Sequence, residues 1–252
     1  NKILKLNFEG NQLDEANSSF KYYEEGQAVA QWYLHKWGGV DPDTGNPLWI
    51  YKDGTTSTVP PASNDGLSQA NKFVMGTALP TLYGSLTNSF EGKNWEMDFM
   101  FTYAVGCRMM NSTRASLLTY TEDANNLAAE VTDLWQYPGQ ITDIPKMRNN
   151  SIIGAYDYTT SITSTRFLEN NSYLRLKNLT LAYRVPRKAL SPLKIFDQAR
   201  IYVTMTNLLT LTKYSGLDPE VSAFGSSATA AGYDNGTMPS SRSYQFGVRL
   251  GF

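Results

Sequence analysis

The sequence has one cysteine and one histidine in 252 residues, and charged residues make up only 18% of it. A single cysteine excludes an internal disulfide framework and cysteine-rich metal sites, and a single histidine argues against histidine-based metal or catalytic-triad chemistry. The formal net charge of −1 provides no basic field that would favour nucleic acid as a partner. Rossmann and Walker glycine motifs are missing as well. We therefore predict no enzymatic activity and no cofactor.

Long apolar runs are also missing. No stretch reaches the roughly 18 consecutive apolar residues of a transmembrane helix. The first residues, NKILKLNFEG, include neither an initiator methionine nor a signal-peptide pattern. They resemble the middle of a protein, so we expect a processed or partial chain.

Aromatic residues, in contrast, reach 13%, and the 16 tyrosines favour positions with one apolar side and one wet side. Apolar and polar residues alternate in several stretches of about ten residues, which is the pattern of a β-strand with two different faces. The clearest stretches are PTLYGSLTNSFE (80–91), NWEMDFMFTY (94–103) and SYQFGVRLGF (243–252). Less regular stretches at 173–185, at 199–209 and within 26–40 complete a set of about six predicted strands.

The predicted connections differ in length. Those at 91–93 and 186–198 are short, whereas those at about 41–78, 107–172 and 210–242 are long and rich in Gly, Ser, Asn and Asp. Loops of that length are unusual in compact soluble domains. Because short and long connections alternate, a meander would place every long loop at one end of the sheet and every short turn at the other.

This combination is typical of an all-β, antiparallel transmembrane β-barrel with long extracellular loops. A tilted strand needs ~9–11 residues to cross a bilayer, with its apolar side facing lipid and its polar side facing the lumen. The smallest barrels have about eight strands, so about six cannot close one and other strands must complete it. The alternative is a soluble β-sandwich carbohydrate-binding module, because sandwich strands also alternate.

The last predicted strand has two features of an outer-membrane strand. Arg249 falls on the polar side, as expected for a lumen residue, because an arginine on the lipid face near the midplane costs roughly 2–4 kcal/mol. The chain ends on Phe252, and together with Tyr244 and Leu250 this aromatic resembles the sorting signal of bacterial outer-membrane proteins. We therefore expect the protein in the bacterial outer membrane.

Longer stretches resemble one family. The segments SYLRLKNLTLAYRVP (172–186), RIYVTMTNLLTLTKYSGLDPEVS (200–222) and SRSYQFGVRLGF (241–252) are similar to the C-terminal end of SusC/RagA-family TonB-linked outer-membrane proteins. The segments at 24–49, 79–106 and 134–146 agree with the same family in the same order. The resemblance therefore covers almost the whole chain.

The resemblance implies a plugged barrel of about 22 strands. Residues 1–252 would form the C-terminal part of that barrel, with the plug domain and the earlier strands outside this chain. It also implies import of glycans or peptides, powered by TonB through the absent N-terminal part. A SusD-like surface lipoprotein would cap the barrel, outer-membrane lipid would surround it, and the long segments 107–172 and 210–242 would be candidates for contact with the lipoprotein.

Four loop aromatics are candidates for substrate binding. Their rings could stack on sugars or grip peptide side chains, or they could simply pack the loops. They are Trp37, Trp49, Tyr51 and Tyr233.

Acidic residues in two loops also have two interpretations. Asp218 and Glu220, in GLDPE (216–220), could contact the lipoprotein lid or fix the shape of the loop. Asp41 and Asp43 weakly resemble a calcium loop, but Lys52 stands where such a loop has its bidentate acid, and turn chemistry explains both aspartates equally well. We therefore predict no metal.

One helix is predicted inside a long loop. Apolar residues between 124 and 135 follow helical spacing, and Pro138 and Gly139 would end the helix. We expect this helix, within 121–139, to pack the loop.

Overall fold

The computed structural model describes residues 2–6, 12–14, 20–59, 71–118, 126–146, 164–193, 195–225, 227 and 230–252. The chain divides into two compact units, each assembled from three separate segments. The sheet unit consists of Pro80–Gly106, Asn171–Pro219 and Met238–Phe252. The loop unit consists of Asn1–Leu79, Cys107–Asn170 and Glu220–Thr237.

Strands provide most of the regular structure in the described ranges. They are β1 (Gln12–Asp14), β2 (Lys21–Glu24), β3 (Gln31–Val40), β4 (Pro47–Ile50), β5 (Thr56–Ser57), β6 (Lys72–Thr77), β7 (Leu82–Gly92), β8 (Trp95–Val105), β9 (Arg108–Asn111), β10 (Leu168–Asn170), β11 (Tyr173–Arg184), β12 (Gln198–Thr212), β13 (Tyr233–Asp234) and β14 (Ser243–Gly251). Helices α1 (Ser112–Leu118) and α2 (Arg187–Leu190) and the 3-10 turns Ala129–Asp133, Thr165–Phe167 and Ser191–Leu193 are short. None of the helices in the described ranges is long and apolar enough to cross a membrane.

The sheet unit is one antiparallel sheet in the order β14-β12-β11-β8-β7. These five strands confirm the predictions for 80–91, 94–103, 173–185, 199–209 and 243–252, and their lengths of 9 to 15 residues suffice to cross a bilayer at ~9–11 residues per strand. A tight turn at Lys93 and Asn94 joins β7 to β8. The long connections before β11 and β14 leave the sheet from the opposite end, as the alternation of loop lengths predicts.

Each face of this sheet has one chemical character. Directly paired residues on neighbouring antiparallel strands point to the same face. Five residues therefore form one apolar row across the sheet: Phe246, Val203, Leu181, Met97 and Phe90. The adjacent row on the other face is polar: Gln245, Thr204, Thr180, Asp98 and Ser89. The hydroxyls of Thr180 and Thr204 lie 3.0 Å apart, in agreement with this sorting.

A bulge in β11 explains why the alternation of this strand is blurred in the sequence. The register shifts between Leu176 and Asn178, where Lys177 is an extra residue relative to β8. Such a residue reverses which positions face each side of the sheet. Leu176 and Leu179 therefore reach the same apolar face although they are three positions apart.

The strand predicted within 26–40 exists, but its expected place in the barrel is wrong. Strand β3 pairs with β2, β4 and β6 in the loop unit and has no partner in the five-stranded sheet. Its buried Trp32 and Leu34 instead belong to a hydrophobic core with Ala78, Met110 and Phe167. An alternating pattern predicts two unlike faces without specifying what covers the apolar one.

The helix predicted within 121–139 is also wrong for the residues that the structure describes. Residues 121–125 lie outside the described ranges, and the remainder contains only the 3-10 turn Ala129–Asp133. The N–H of Ala128 donates to the carbonyl of Leu117, and Ala128 is extended. This contact with the end of α1 replaces the bond that a continuous helix would make, so tertiary structure overrides local propensity.

The loop unit is held together by contacts between its three segments. Strand β9 pairs antiparallel with β10 and parallel with β13. The N–H of Met110 donates to the carbonyl of Gly232 at 2.7 Å. Gly232 has a φ of +87°, and a Cβ at this position would lie 2.6 Å from the Cβ of Ala78. Only glycine fits this close approach without strain.

Lys21 lies fully buried in the same core. Its Nζ atom is 3.1 Å from the centre of the Trp32 ring and donates to the carbonyl of Ala231 at 3.0 Å. Burial lowers the pKa of Lys21 to about 6, while the face of Trp32 favours the charged form and opposes that shift. Burial, and then the charge of Lys72, lower the pKa of His35 to about 4.

These two shifts make the stability of the loop unit depend on pH. Unfolding returns Lys21 to its ordinary pKa of 10.5, so the unfolded state binds more protons between pH 6 and 10.5 and stability rises with pH across that window. His35 has the same effect between pH 4 and 6.5. We expect Lys21→Met to remove the dependence of stability on pH between pH 6 and 10.5 and to leave the dependence between pH 4 and 6.5. Hydrogen exchange of the β2 and β3 amides, corrected for intrinsic rates, measures both pH dependences. Lys36→Met, on the exposed side of β3, is the control. If stability still rises between pH 6 and 10.5 in Lys21→Met, the assignment to Lys21 is contradicted.

Candidate functional site

The first candidate site is the two-faced wall formed by the sheet unit. On its apolar face, Tyr244, Phe246, Val248 and Leu250 are 54%, 80%, 62% and 43% exposed. A β-sandwich would bury this face under a second sheet, and no sheet covers it within the described residues. Only one side of β7 and one side of β14 are paired within the described residues. The sheet is thus an arc of a larger barrel wall.

Aromatic side chains collect where the tight-turn end of the wall meets the apolar face. The rings of Trp95 and Tyr183 lie 4.8 Å apart, and Phe196 lies 5.2 Å from Phe252. Aromatic belts of this kind occur at membrane interfaces because the rings suit a boundary between apolar and wet surroundings. The sorting role of Tyr244, Leu250 and Phe252 stays a prediction.

The polar face carries an ionic cluster at the same end. Glu96 contacts Arg184 and receives two bonds from Arg200, at 2.8 and 2.9 Å, while Arg184 also contacts Glu91. Facing the barrel interior, these charges are away from lipid. Their position agrees with the prediction that Arg249, on the neighbouring strand, is a lumen residue.

The second candidate site is a small cavity of about 160 Å³ in the loop unit, beside Trp37. The guanidinium of Arg166 lies 4.8 Å from the centre of the Trp37 ring and 4.9 Å from that of Phe167. Strand β3 positions the tryptophan, whose backbone N–H donates to the Thr165 hydroxyl at 3.0 Å. An aromatic face, a cation and a hollow are therefore adjacent.

Charged groups line the rest of this cavity. Arg114 lies 2.7 Å from Glu130 and 3.7 Å from Glu169, and the hydrogen bond with Glu130 raises the pKa of the Arg114 guanidinium. Arg166 donates to the backbone carbonyl of Asp143 at 2.9 Å. Such groups can hydrogen-bond either hydroxyls or the polar groups of a peptide.

Of the four aromatics predicted to bind substrate, the structure brings Trp37 and Trp49 together, with ring centres 5.6 Å apart. Trp49 is only 2% exposed, and Tyr233 is buried against Trp32. The hydroxyl of Tyr51 donates to the carbonyl of Val59 at 2.8 Å. The burial of Trp49 and Tyr233 fits the packing interpretation, whereas Trp37 borders the small cavity.

The side chain of Asp218 is buried and held by other parts of the sheet unit. Its carboxylate and the guanidinium of Arg175 form an ion pair in which both side chains are 3% exposed. The Asp218 carboxylate also accepts the N–H of Ser240 at 2.9 Å. These contacts fit the interpretation that Asp218 fixes the loop, whereas Glu220 is exposed and stays a candidate for contact with a partner.

The Asp41 carboxylate is engaged within its own turn. The Asp41 carboxylate accepts the N–H of Asp43 and the hydroxyl of Thr44, which is ordinary turn chemistry. Within the described ranges, no group of three or more His, Cys, Asp or Glu side chains could hold a metal ion.

Sequence reasoning singled out Arg249 of the wall but missed Arg184 and Arg200, and it missed both arginines of the cavity. Arg114 and Arg166 belong to segments that the sequence presents as one long loop, and only the fold brings them to Trp37. The arginines of the sheet do carry a signal, because Arg184, Arg200 and Arg249 all fall on the polar side of alternating strands. That signal becomes specific only when the register is known.

Comparison with known proteins agrees with the fold. No family model matches the chain. The TonB-dependent receptor P3 of Formosa agariphila is 29% identical over 280 aligned residues, which cover 100% of the chain and 26% of the receptor. The TonB-dependent receptor SusC of Bacteroides thetaiotaomicron is 23% identical, covering 94% of the chain and 21% of SusC.

The structure of the RagAB peptide transporter superposes with a TM-score of 0.78 at 26% identity, covering 99% of the chain and 25% of the matched one. The chain spans about a quarter of the length of the first of these curated relatives. Taken with the two-faced wall, these matches show that the chain is similar to the SusC/RagA type of TonB-dependent receptor, whose location is the bacterial outer membrane.

Proposed function

We propose that the receptor containing this chain imports oligomeric nutrients, glycans or peptides, across the outer membrane. The observation that carries the proposal is the apolar face that continues across all five strands, opposite a polar face. Such a wall separates lipid from an interior through which a polar solute can pass. The relatives, described as TonB-dependent receptors and a peptide transporter, support the same activity.

The same relatives support a proposal about the partners. Import through a plugged barrel needs an energy source, which we propose is TonB acting on parts of the receptor outside this chain. We also propose a SusD-like surface lipoprotein as the lid, in keeping with the likeness to SusC and to RagAB. The exposed Glu220 is a candidate contact for that lid.

Uptake by whole cells tests the proposed function. Deleting the receptor gene should abolish uptake of one class of fluorescent oligomer, either peptides or oligosaccharides, and the intact gene should restore it. A protonophore should abolish the restored uptake, since TonB draws on the proton-motive force. Unchanged uptake of both classes in the deletion strain would refute import.

We propose the cavity beside Trp37 as a contact point for one unit of the oligomer. Its volume of about 160 Å³ is below the roughly 300–1,000 Å³ of pockets that enclose a whole ligand, so it suits a single sugar or side chain. An aromatic ring next to arginine can stack on a sugar face or an aromatic side chain while the guanidinium hydrogen-bonds its polar groups.

Trp37→Ala should weaken substrate binding by roughly 10- to 30-fold, since buried aromatic anchors contribute most of the energy at an interface. Calorimetric titration of the purified receptor with its imported oligomer measures the change. Tyr137→Ala is the matched control, because Tyr137 is an exposed aromatic of the same unit that does not line the cavity. Equal affinities for the Trp37 variant and the unmodified receptor would remove Trp37 from the site.

A further inference from the structure

Three arginines form a row across neighbouring strands at the tight-turn end of the sheet unit. Arg200 on β12 is paired directly with Arg249 on β14 and with Arg184 on β11. Like charges directly opposite each other on a sheet are destabilising. A row of three therefore needs negative charge nearby.

The described residues supply only part of that charge. Glu96 bridges Arg184 and Arg200, and Glu91 contacts Arg184. Arg249 is exposed and makes no ion pair or side-chain hydrogen bond with any described residue. The third arginine of the row is thus left without a counter-ion in this part of the chain.

A cavity of about 870 Å³ opens at this row. Its charged lining consists of four arginines, the row and Arg187 from α2, against the carboxylates of Glu96 and Asp197. Glu96 is already engaged by two arginines, so Arg187 and Arg249 give the cavity its excess positive charge. The volume lies within the roughly 300–1,000 Å³ of sites that enclose a ligand.

We propose that this arginine cavity is a binding site for carboxylate groups. The guanidinium fork matches a carboxylate with two parallel, charge-assisted hydrogen bonds. Two sources fit this chemistry. One is acidic side chains of the receptor outside this chain, since the chain spans only about a quarter of the length of the Formosa agariphila receptor P3. The other is a carboxylate-bearing solute inside the barrel. The proposal rests on the wall and its register and does not require import.

Arg249→Gln gives opposite results with and without a bound carboxylate. If the cavity is empty, the substitution relieves repulsion with Arg200 and leaves the stability of the receptor unchanged or higher. If a carboxylate of the receptor occupies the cavity, the substitution lowers stability because that carboxylate loses its partner. Arg242→Gln, on the segment that precedes β14, removes the same charge outside the cavity and is the matched control.

The experiment uses the full-length receptor in detergent micelles, with heat-modifiable migration showing that each variant is folded. Urea midpoints are compared for Arg249→Gln, Arg187→Gln and the control, and tetraglutamate is titrated calorimetrically at low salt. Lower midpoints for both cavity variants, but not for the control, identify an internal carboxylate. Tetraglutamate binding that both cavity variants weaken at least tenfold identifies a solute site. Midpoints that do not fall, together with no tetraglutamate binding, would overturn the proposal.

Discussion

Replacing Asp218 with asparagine is expected to lower the free energy of unfolding of the receptor by about 3–5 kcal/mol, because it leaves the Arg175 guanidinium buried without its charged partner. Both side chains are 3% exposed, so water cannot substitute for the lost carboxylate. Because asparagine preserves the shape of the side chain, the loss of stability can be assigned to the missing negative charge. The measurement is the urea midpoint of the full-length receptor in lipid vesicles.

Two further variants separate the ion pair from general effects. Asp133→Asn makes the same substitution at an exposed position of the loop unit and should change stability by less than about 0.5 kcal/mol. The double variant Arg175→Met, Asp218→Leu should recover much of the loss, since a buried ion pair can be replaced by apolar residues of similar volume. A double variant as unstable as Asp218→Asn would show that the packing around the pair, and not the unpaired charge, sets the cost.

Placing an arginine at Phe246 is expected to cost about 2–4 kcal/mol, the penalty for this side chain on the lipid face near the bilayer midplane. Phe246 is 80% exposed in the middle of β14, and in a water-soluble protein an exposed position would accept arginine at little cost. The large penalty therefore depends on lipid. The measurement is the folding equilibrium of the receptor in vesicles, monitored by urea titration.

Gln245→Arg is the matched control for that substitution. It adds the same side chain one residue earlier, on the polar face, and should cost less than about 1 kcal/mol. The contrast between adjacent positions removes effects of net charge and of the edge strand. Equal costs at 245 and 246 would contradict the assignment of the two faces.

The wall could be predicted from the sequence because its determinants are local. In β14, apolar residues at every second position from Tyr244 to Leu250 specify both the strand and its faces, and all four are exposed in the structure. The faces of β11 could not be assigned without the structure, since the bulge at Lys177 depends on pairing with β8. Counting apolar residues at every second position does not detect a register shift of one residue.

The loop unit could not be predicted because its determinants are long-range. Lys21 bonds the carbonyl of Ala231, 210 residues away, and Trp32 donates to the carbonyl of Arg108. Segments that read as Gly- and Ser-rich loops acquire short strands only when they pair with each other. The cavity beside Trp37 follows the same rule, since Arg114 and Arg166 reach it from the segments on either side of the undescribed residues 147–163.

The central claim is that lipid covers the apolar face of the five-stranded wall. Single nitroxide labels at positions 202 to 205 of β12, in the full-length receptor reconstituted into liposomes, test it directly. We expect collisions with oxygen, which concentrates in lipid, to be frequent at 203 and 205, and collisions with a water-soluble nickel complex to be frequent at 202 and 204. Oxygen accessibility that does not alternate along the strand, or that peaks at 202 and 204, would contradict the account.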